Sequence, residues 1–560
     1  MTREATDVIA GSTGSQKGEY SMKIKTTLMA STAALLVLSG AAFAASPMAG
    51  ETLAADQTFT YQDIDESPSI DPGMVEDVSG SAVARNLFEG LMNQDADGNL
   101  IPGVATGYDI SDDKMTYTFH LRDNAVWSNG DPVTAGDFVY AWRRAADPAT
   151  ASPYAWFVTD ITGIVGAGAV GSGDAAPETL GVEAPDDHTL VVHLERPVPY
   201  FVQTVTHATM FPVHQATVEA HGAEWTRPEN IVGNGAYVLT EHVPQERMVM
   251  ERNANYWNDA ETVINKVVRL IINDETQAFT RWQAGELDLV GVPSGQYLAL
   301  KEQYPAEIYS NPRLCTYYYN FNVRPDGPAW AQDVRVRQAL NLGFDRSVIT
   351  EGILQAGQIP AYTFTPPTTA GFTVPVVEAA AMSQEERTAK AKALLEEAGY
   401  GSDNPISLEI LYNTSEGHKS IAIAISQMWK ENLGIEATIN NMEWGTFLEA
   451  RGAGQFEISR AGWCGDYNEA STFLDLYNSR SGYNDAGYNS AEVDALLAEA
   501  KTAEDPQPLY TQVETIAAAD APIIPIYFYT SVGARSASLK GWPDNNVENN
   551  WYARDLYKVE

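Results

Sequence analysis

Residues 459–469 read Ser-Arg-Ala-Gly-Trp-Cys-Gly-Asp-Tyr-Asn-Glu and place one carboxylate, Asp466, shortly after an apolar segment. That segment, 456–461, has the composition of a buried strand. Aromatic and sulfur-containing residues surround the carboxylate in the sequence, namely Trp463, Cys464 and Tyr467. A carboxylate among such side chains is costly to bury unless a cation or several donors meet it. The stretch therefore predicts a site for a positively charged group.

A second interpretation of Asp466 needs no ligand. An Asp in the sequence Gly-Asp-Tyr-Asn is typical of a turn, and Arg460 or Arg451 could neutralise it from within the chain. The two interpretations differ in whether the cation is foreign to the protein. The residues of this stretch alone leave both open.

Helix and strand patterns alternate ahead of this stretch. Ser383-Gln-Glu-Glu386 is a capping box that begins a helix, and Gly399 ends that helix. The elements predicted after it are strand 406–412, helix 419–433, strand 435–439, helix 445–451 and strand 456–461. This alternation with short connections predicts a mainly parallel α/β lobe. Asp466 then follows the carboxyl end of a strand, where open α/β sheets bind their ligands.

The N-terminal region has the pattern of a secretory signal peptide. Met22 begins a short basic segment, an apolar run follows over 26–40, and Ala42-Phe-Ala44 supplies the small residues that a signal peptidase requires. We therefore expect translation to start at Met22 and cleavage to occur after Ala44, which gives an exported chain. A membrane anchor is disfavoured because the run is short and no stop-transfer charges follow it. The cleavage site has no Cys, which disfavours a lipoprotein, so we expect no stable membrane insertion.

The chain is strongly acidic, with 74 Asp and Glu against 35 Lys and Arg and a net charge of −39. Residues 1–44 carry four basic and three acidic residues, so their removal leaves −40. A field of this sign repels nucleic acid and anionic membrane surfaces, and we expect neither as a partner. It also suggests a salty habitat, a hypothesis that the salt dependence of the melting temperature tests.

Two cysteines remain after the predicted cleavage, Cys315 and Cys464. An exported chain with two cysteines favours one disulfide, because the compartment is oxidising. Such a bridge would tie the predicted strand 313–321 to the segment that carries Asp466. Two free buried thiols are the alternative.

Motifs that would indicate catalysis or cofactor binding are absent or incomplete. The sequence has no His-Glu-x-x-His, Gly-x-Ser-x-Gly or Gly-x-x-x-x-Gly-Lys motif, and its eight histidines show no metal-binding spacing. The segment 93–99 resembles a calcium loop, but its glycine is misplaced and we interpret it as a turn. The segment 166–171 matches a dinucleotide fingerprint, but 172–177 breaks any following helix, so we predict a flexible Gly/Ala loop. We expect no cofactor and no metal site.

The stretch 459–469 closely resembles a segment of the periplasmic oligopeptide-binding proteins of ABC importers, in extracellular solute-binding protein family 5 (peptide/nickel type). Further segments resemble the same family, namely 81–91, 127–143, 151–154, 232–237 and 314–319. The resemblance extends over nearly the whole chain after cleavage. It implies an α/β fold of the periplasmic-binding-protein type II kind (cluster C), with three lobes and hinge closure around the ligand.

The resemblance also implies a domain organisation and a function. The division is 1–44 as upstream residues and signal peptide, 45–88, 214–314 and 532–560 as three parts of lobe I, 89–213 as lobe II, and 315–531 as lobe III. The closed lobes would hold an extended peptide of about 2–5 residues by strand addition, with little side-chain specificity. An inner-membrane ABC permease would receive the peptide, and we expect a monomer without enzymatic activity.

Residue roles follow from the same resemblance. Asp466 would bind the α-amino group of the peptide. The residues expected to supply backbone hydrogen bonds are Gly462, Cys464 and Val78, and those expected to line side-chain pockets are Tyr154, Glu76, Trp444 and Trp463. The residues expected to meet the peptide carboxylate, depending on peptide length, are Arg460, Arg451 and His418, with Arg460 preferred for tripeptides. Leu354 occupies a position where family members carry Lys, which puts the preference among longer peptides in doubt.

Two alternatives to a general peptide receptor remain. A murein tripeptide receptor of the same family shares the Asp-Tyr-Asn segment and would use Asp466 in the same way. A secreted hydrolase would instead use acids such as Glu76 and Asp466 for catalysis, because an acid-rich chain always offers carboxylate pairs.

Overall fold

The computed structural model describes Ala45, Pro47, Met48 and residues 50–560, so the predicted signal peptide lies outside the described residues. Its strands are, in chain order, β1 (Thr58–Asp63), β2 (Met92–Gln94), β3 (Leu100–Pro102), β4 (Ala105–Ile110), β5 (Thr116–Leu121), β6 (Val182–Asp186), β7 (Thr189–His193), β8 (Tyr237–Val243), β9 (Arg247–Arg252), β10 (Lys266–Ile271), β11 (Leu289–Val290), β12 (Ile308–Phe321), β13 (Ile359–Pro360), β14 (Ser407–Asn413), β15 (Glu436–Met442), β16 (Ile458–Cys464), β17 (Ile523–Arg535), β18 (Leu539–Lys540) and β19 (Tyr557–Lys558). Its α-helices are α1 (Val78–Leu87), α2 (Ala135–Ala146), α3 (Ala167–Gly171), α4 (Phe201–Thr204), α5 (Gln215–His221), α6 (Glu275–Gln283), α7 (Tyr297–Gln303), α8 (Ala329–Gln332), α9 (Val334–Leu342), α10 (Glu378–Ala381), α11 (Gln384–Glu397), α12 (Glu416–Leu433), α13 (Trp444–Gly452), α14 (Ser471–Leu474), α15 (Ala491–Ala500) and α16 (Gln507–Asp520). Two π-helical turns occupy Phe157–Ile161 and Val348–Leu354.

One large mixed sheet forms the centre of the fold. Its strands lie in the order β15-β14-β16-β12-β17-β11-β1-β10-β9-β8, and β13 pairs with β17 beside this path. β12 and β17 are 14 and 13 residues long and pair antiparallel along most of their length. Because both strands extend into each half of the sheet, they connect the half that contains β14 to β16 with the half that contains β1.

The alternation of helices and strands predicted from position 383 onwards is confirmed. α11 begins with the predicted capping box of Ser383 and Glu386 and is followed by β14, α12, β15, α13 and β16. β14 is parallel to both β15 and β16. The prediction of a mainly parallel lobe is wrong beyond β16, since β12 pairs antiparallel with both β16 and β17. β12 enters from the other half of the sheet and not through a crossover helix, so nothing forces a parallel pairing.

A separate antiparallel sheet lies within the segment expected to form lobe II. Its strands are in the order β4-β5-β7-β6. Helix α2 packs against β6 and β7, buries Phe138 and Trp142, and begins with a capping box of Thr134 and Asp137. The lobe boundaries themselves stay predictions.

Two glycine-containing segments have different outcomes. Within the segment 93–99, residues 95–99 form the predicted turn between β2 and β3. The carboxylate of Asp95 accepts two backbone N–H groups there. The prediction of a flexible loop over 166–171 is wrong. The short helix α3 forms there because Ala167 and Val170 are buried, and the helix packs on the π-helical turn that precedes it.

A disulfide fixes the stretch around Asp466 to the large sheet. Cys315 on β12 and Cys464 on β16 lie opposite each other in the strand pair and form the predicted bridge, which joins residues 149 positions apart. Asp466 follows two residues after Cys464, so its backbone is held beside the middle of β12. Within residues 50–560, no helix is both long and apolar enough to cross a membrane.

Candidate ligand-binding site

The carboxylate of Asp466 lies just beyond β16, and only 9% of its side chain is exposed. The hydroxyl of Tyr154 donates to both carboxylate oxygens at 3.0 Å. The Nε2 atom of His207 lies 3.5 Å from Oδ1. The backbone N–H of Asp466 donates to Thr472 Oγ1 at 3.0 Å, which holds the turn after the strand in place. Asp466 is therefore a buried acid that receives one neutral hydroxyl.

The electrostatics of this position are those of an acid without a cation. Burial raises the pKa of Asp466 to about 8; Glu548 acts in the same direction, while the Tyr154 hydrogen bond and the Arg85 guanidinium oppose it. Burial, together with Arg85, lowers the pKa of His207 to about 3, so this imidazole is neutral at physiological pH. Among the described residues, no Lys or Arg nitrogen lies within 4 Å of the Asp466 carboxylate. An ammonium group would supply the missing charge.

A row of aromatic rings begins at Tyr154, whose hydroxyl contacts the acid. Tyr483 lies between Tyr154 and Trp463, with ring centroids 5.1 Å and 5.3 Å away, and Trp156 lies 6.1 Å from Trp463. The indole N–H of Trp463 donates to the carbonyl of Thr472 at 2.7 Å. The hydroxyl of Tyr483 donates to Glu76 Oε2 at 3.1 Å. These contacts link Glu76 and Trp463 to Asp466 through Tyr483 and Tyr154.

Part of β16 has a free backbone edge. β12 pairs with β16 along its whole length, whereas on the other side β14 pairs only with Ile458 and Ser459. In an antiparallel pair, every second residue forms backbone hydrogen bonds to the partner strand. Asn322 N–H donates to the carbonyl of Glu457 and Gly465 N–H donates to that of Leu314, so the odd-numbered residues of β16 are the ones that bond to β12. The N–H and C=O groups of Gly462 and Cys464 therefore point towards the other edge. Within residues 50–560, no strand pairs with that edge beyond Ser459.

Arg460 lies further back on β16 and is 8% exposed. Its Nη1 donates to Asn413 Oδ1 at 3.2 Å, its Nη2 donates to Tyr529 at 2.8 Å, and its guanidinium lies 4.9 Å from the ring centre of Tyr317. Among the described residues its Nε has no hydrogen-bond partner and its guanidinium has no carboxylate within 4 Å. Burial and the nearby charge of Arg460 lower the pKa of His418 well below its usual value, so His418 is neutral. Arg460 thus remains available to an anion.

The other expected carboxylate partner is already neutralised. Arg451 Nε lies 2.8 Å from Asp485 Oδ2 in a buried ion pair that lacks hydrogen-bond alignment. Because neither Arg451 nor Arg460 contacts Asp466, the interpretation of Asp466 as an internally paired turn residue is wrong. The reason is that Arg451 lies on α13, Arg460 lies on β16 and Asp466 lies beyond the end of β16, so each side chain has different partners.

The remaining expected residues lie around this core with different degrees of contact. The indole N–H of Trp444 donates to Asp77 Oδ2 at 2.9 Å. Asp77 is the N-cap of α1, whose first residue, Val78, is 51% exposed. Leu354 ends a π-helical turn and packs against the apolar core that includes Tyr317.

Sequence reasoning missed several residues that contact the site: His207, Tyr483, Trp156, Asn413 and Tyr529. Trp156 is two positions after Tyr154, so the same resembling segment could have revealed it. The others lie on segments far from Asp466 or Arg460 in the chain or carry no distinctive motif. Only the tertiary fold brings them to the site.

The arrangement suits an extended zwitterionic ligand. The β16 residues from Arg460 to Cys464 span about 13 Å, at about 3.3 Å per residue. An extended tripeptide is about 10 Å long, and the side chains of Asp466 and Arg460 can approach its two ends. The free edge between them offers backbone donors and acceptors in the spacing of a strand.

Comparison with known proteins was consistent across sequence and structure. The family model for bacterial extracellular solute-binding proteins, family 5 (middle region), matches residues 99–485. The periplasmic murein peptide-binding protein MppA of Escherichia coli is 45% identical over 94% of this chain and 98% of its own. The periplasmic oligopeptide-binding protein OppA of Escherichia coli is 43% identical over 94% of this chain and 97% of its own.

Solved structures of these relatives have the same fold. Haemophilus influenzae OppA in complex with the peptide RPPGFSPFR superposes with a TM-score of 0.87 at 41% identity, over 91% of this chain and all of that one. The Escherichia coli murein tripeptide-binding protein MppA gives a TM-score of 0.88, whereas the unliganded open form of MppA gives 0.66, each over 91% of this chain and 99% of the other. The described conformation therefore differs from that open form. This chain is a member of the bacterial extracellular solute-binding proteins, family 5.

Proposed function

We propose that this chain is the substrate-binding component of an ABC peptide importer, which captures short peptides and delivers them to a membrane permease. The observation that carries this proposal is the buried Asp466 carboxylate, which has no cation within 4 Å among the described residues and lies beside the free edge of β16. A peptide supplies the ammonium group that the acid lacks and the backbone that the edge can pair with. The OppA relatives are named for oligopeptide binding.

The proposed binding mode is strand addition. The peptide lies along the free edge of β16, where Gly462 and Cys464 offer their N–H and C=O groups, and Val78 contributes from the start of α1. Its α-amino group replaces the Tyr154 hydroxyl as the main partner of Asp466. Because main-chain groups provide these contacts, they are largely independent of the peptide sequence.

Side chains of the peptide would lie among four residues of the site: Tyr154, Glu76, Trp444 and Trp463. The tryptophans are held by hydrogen bonds to Thr472 and Asp77, so their rings form fixed walls. Water can fill the remaining space beside a small side chain, which permits different residues at little cost in affinity.

The peptide carboxylate is assigned to Arg460 for tripeptides. Its guanidinium has neutral partners in Asn413 and Tyr529, so an incoming carboxylate competes with no internal anion. Arg451 would first have to leave Asp485, and His418 is neutral, so both are weaker partners in this arrangement. They remain candidates for peptides of other lengths, up to about five residues.

Closure about a hinge would bring the binding groups together. In the proposed division, the Trp444–Asp77 contact joins lobe III to lobe I, and the Tyr154–Asp466 contact joins lobe II to lobe III. A ligand that contacts both sides stabilises the closed state over the open one. We propose that a permease recognises the closed form of a monomeric, periplasmic receptor with no catalytic role.

Calorimetry with two peptides tests this function. The protein is first unfolded and refolded to remove retained ligand, and the tripeptide Ala-Ala-Ala is then compared with its N-acetylated form. We expect only the free peptide to bind tightly. The control variant Asp112→Asn removes one negative charge at an exposed position and should bind the free peptide as the wild type does. Failure of all short peptides to bind would refute the proposal, and turnover of a peptide abolished by Asp466→Asn would support a hydrolase instead. Competition by murein tripeptide decides between a general peptide receptor and a murein peptide receptor.

A further inference from the structure

A second carboxylate without a cation lies at the Arg460 end of the site. Asp65 follows β1 in the chain and is half-buried. The Nδ2 of Asn413 donates to Asp65 Oδ2 at 3.4 Å, and the Oδ1 of the same amide accepts a hydrogen bond from Arg460 Nη1 at 3.2 Å. The Asn413 amide therefore bridges an acid and a base that do not pair directly.

Both charged groups have unused bonding capacity. In the described part of the chain, the buried Arg460 Nε has no hydrogen-bond partner, and the Asp65 carboxylate has no Lys, Arg or His nitrogen within 4 Å. The two acids whose charges act on Asp65, Asp63 and Glu443, have partners of their own. Asp63 pairs with Arg269 at 3.0 Å, and Glu443 accepts the backbone N–H of Thr446 at the start of α13.

Asp65 is ionised at neutral pH but is poorly compensated. Burial raises its pKa to about 6; the charges of Asp63 and Glu443 act in the same direction, while Asn413 and Arg460 oppose the shift. A cation beside Asp65 would relieve the repulsion from these two acids and replace the lost hydration.

We propose that Asp65 and Arg460 together select peptides whose last residue carries an ammonium group in addition to its α-carboxylate, such as lysine, ornithine or another diamino acid. This inference rests on the proposed function, in which Arg460 receives the carboxylate of a tripeptide. The two hydrogen bonds of Asn413 hold the Asp65 and Arg460 atoms within about 9 Å of each other. One diamino acid residue is long enough to contact both.

The test compares two tripeptides of equal length, Ala-Ala-Lys and Ala-Ala-norleucine, by calorimetry at pH 7.5 on refolded protein. The wild type is expected to bind the lysine peptide about tenfold more tightly, as a partly buried ion pair permits. Asp65→Asn keeps the size and the acceptor oxygen of the side chain but removes its charge, so the ratio should fall to about one. The control variant Asp112→Asn, which removes one negative charge at an exposed position, should leave the ratio of the two affinities unchanged.

The outcomes separate this inference from the function on which it rests. Equal affinity of the wild type for both peptides would overturn the inference and leave peptide binding standing. A lysine preference that persists in Asp65→Asn would overturn the role of Asp65, and failure of both peptides to bind would overturn the function as well. Tighter binding of the lysine peptide that depends on Asp65 supports the inference.

Discussion

Replacement of Asp466 by Asn is the most direct perturbation of the site. Asn has nearly the same size and keeps one acceptor oxygen for the Tyr154 hydroxyl, so the main change is the loss of charge. The acid is 9% exposed, and no described Lys or Arg lies within 4 Å of it. A peptide ammonium thus forms its ion pair in a largely desolvated place. We expect affinity to fall by about 2–5 kcal/mol, which is about 30-fold to about 5,000-fold.

The pH dependence gives this prediction a second readout. The pKa of Asp466 is about 8 in the ligand-free structure, and a bound ammonium favours the ionised form and lowers it. Binding at pH 7 should therefore release a proton, and affinity should fall as pH drops below about 8, by at most about tenfold per pH unit. Above that pH, the peptide α-amino group, with a pKa of about 7.7–8.0, loses its own charge. The wild type should bind best near pH 8.

Isothermal titration in buffers of different ionisation enthalpy measures both the affinity and the released protons. The wild type, Asp466→Asn and the control Asp112→Asn are titrated with Ala-Ala-Ala and with its N-acetylated form. Asp466→Asn should release no proton and should bind both peptides weakly. An unchanged affinity of Asp466→Asn for the free peptide would refute the reasoning, as would an equal loss for the acetylated peptide.

Three further predictions concern the surroundings of the site and the whole chain. Tyr154→Phe removes a hydrogen bond that lowers the pKa of Asp466. The pH below which peptide affinity declines should therefore shift upward, which titrations between about pH 6 and about pH 8 measure. An unshifted pH profile would contradict this prediction. The double substitution Cys315→Ser and Cys464→Ser should lower the free energy of unfolding by about 4–5 kcal/mol on the chain-entropy model, because the bridge closes a loop across 149 positions. Urea denaturation of this variant, the oxidised wild type and the reduced wild type measures the difference. Equal stability of all three forms would count against the prediction. With a net charge of −39, the melting temperature should rise between about 0.1 M and about 2 M NaCl as repulsion is screened; a flat response would remove the salty-habitat hypothesis.

The sequence revealed those parts of the fold that depend on local patterns. The capping box at Ser383, the alternation that follows it and the position of Asp466 after a strand all depend on neighbouring residues and were predicted correctly. The antiparallel insertion of β12 was missed, because strand order depends on contacts between distant segments. The segment 166–171 was misjudged because burial of its apolar face outweighs the helix-breaking residues after it.

The site divides along the same line. The predicted residues of the stretch 459–469 were found from one segment and its resemblance to a family. His207 and Asp65 gave no local signal, since a single polar residue on a loop carries no pattern. These two residues are identified only by their contacts, because the partners of each side chain come from another part of the fold. Such a relation exists only in three dimensions.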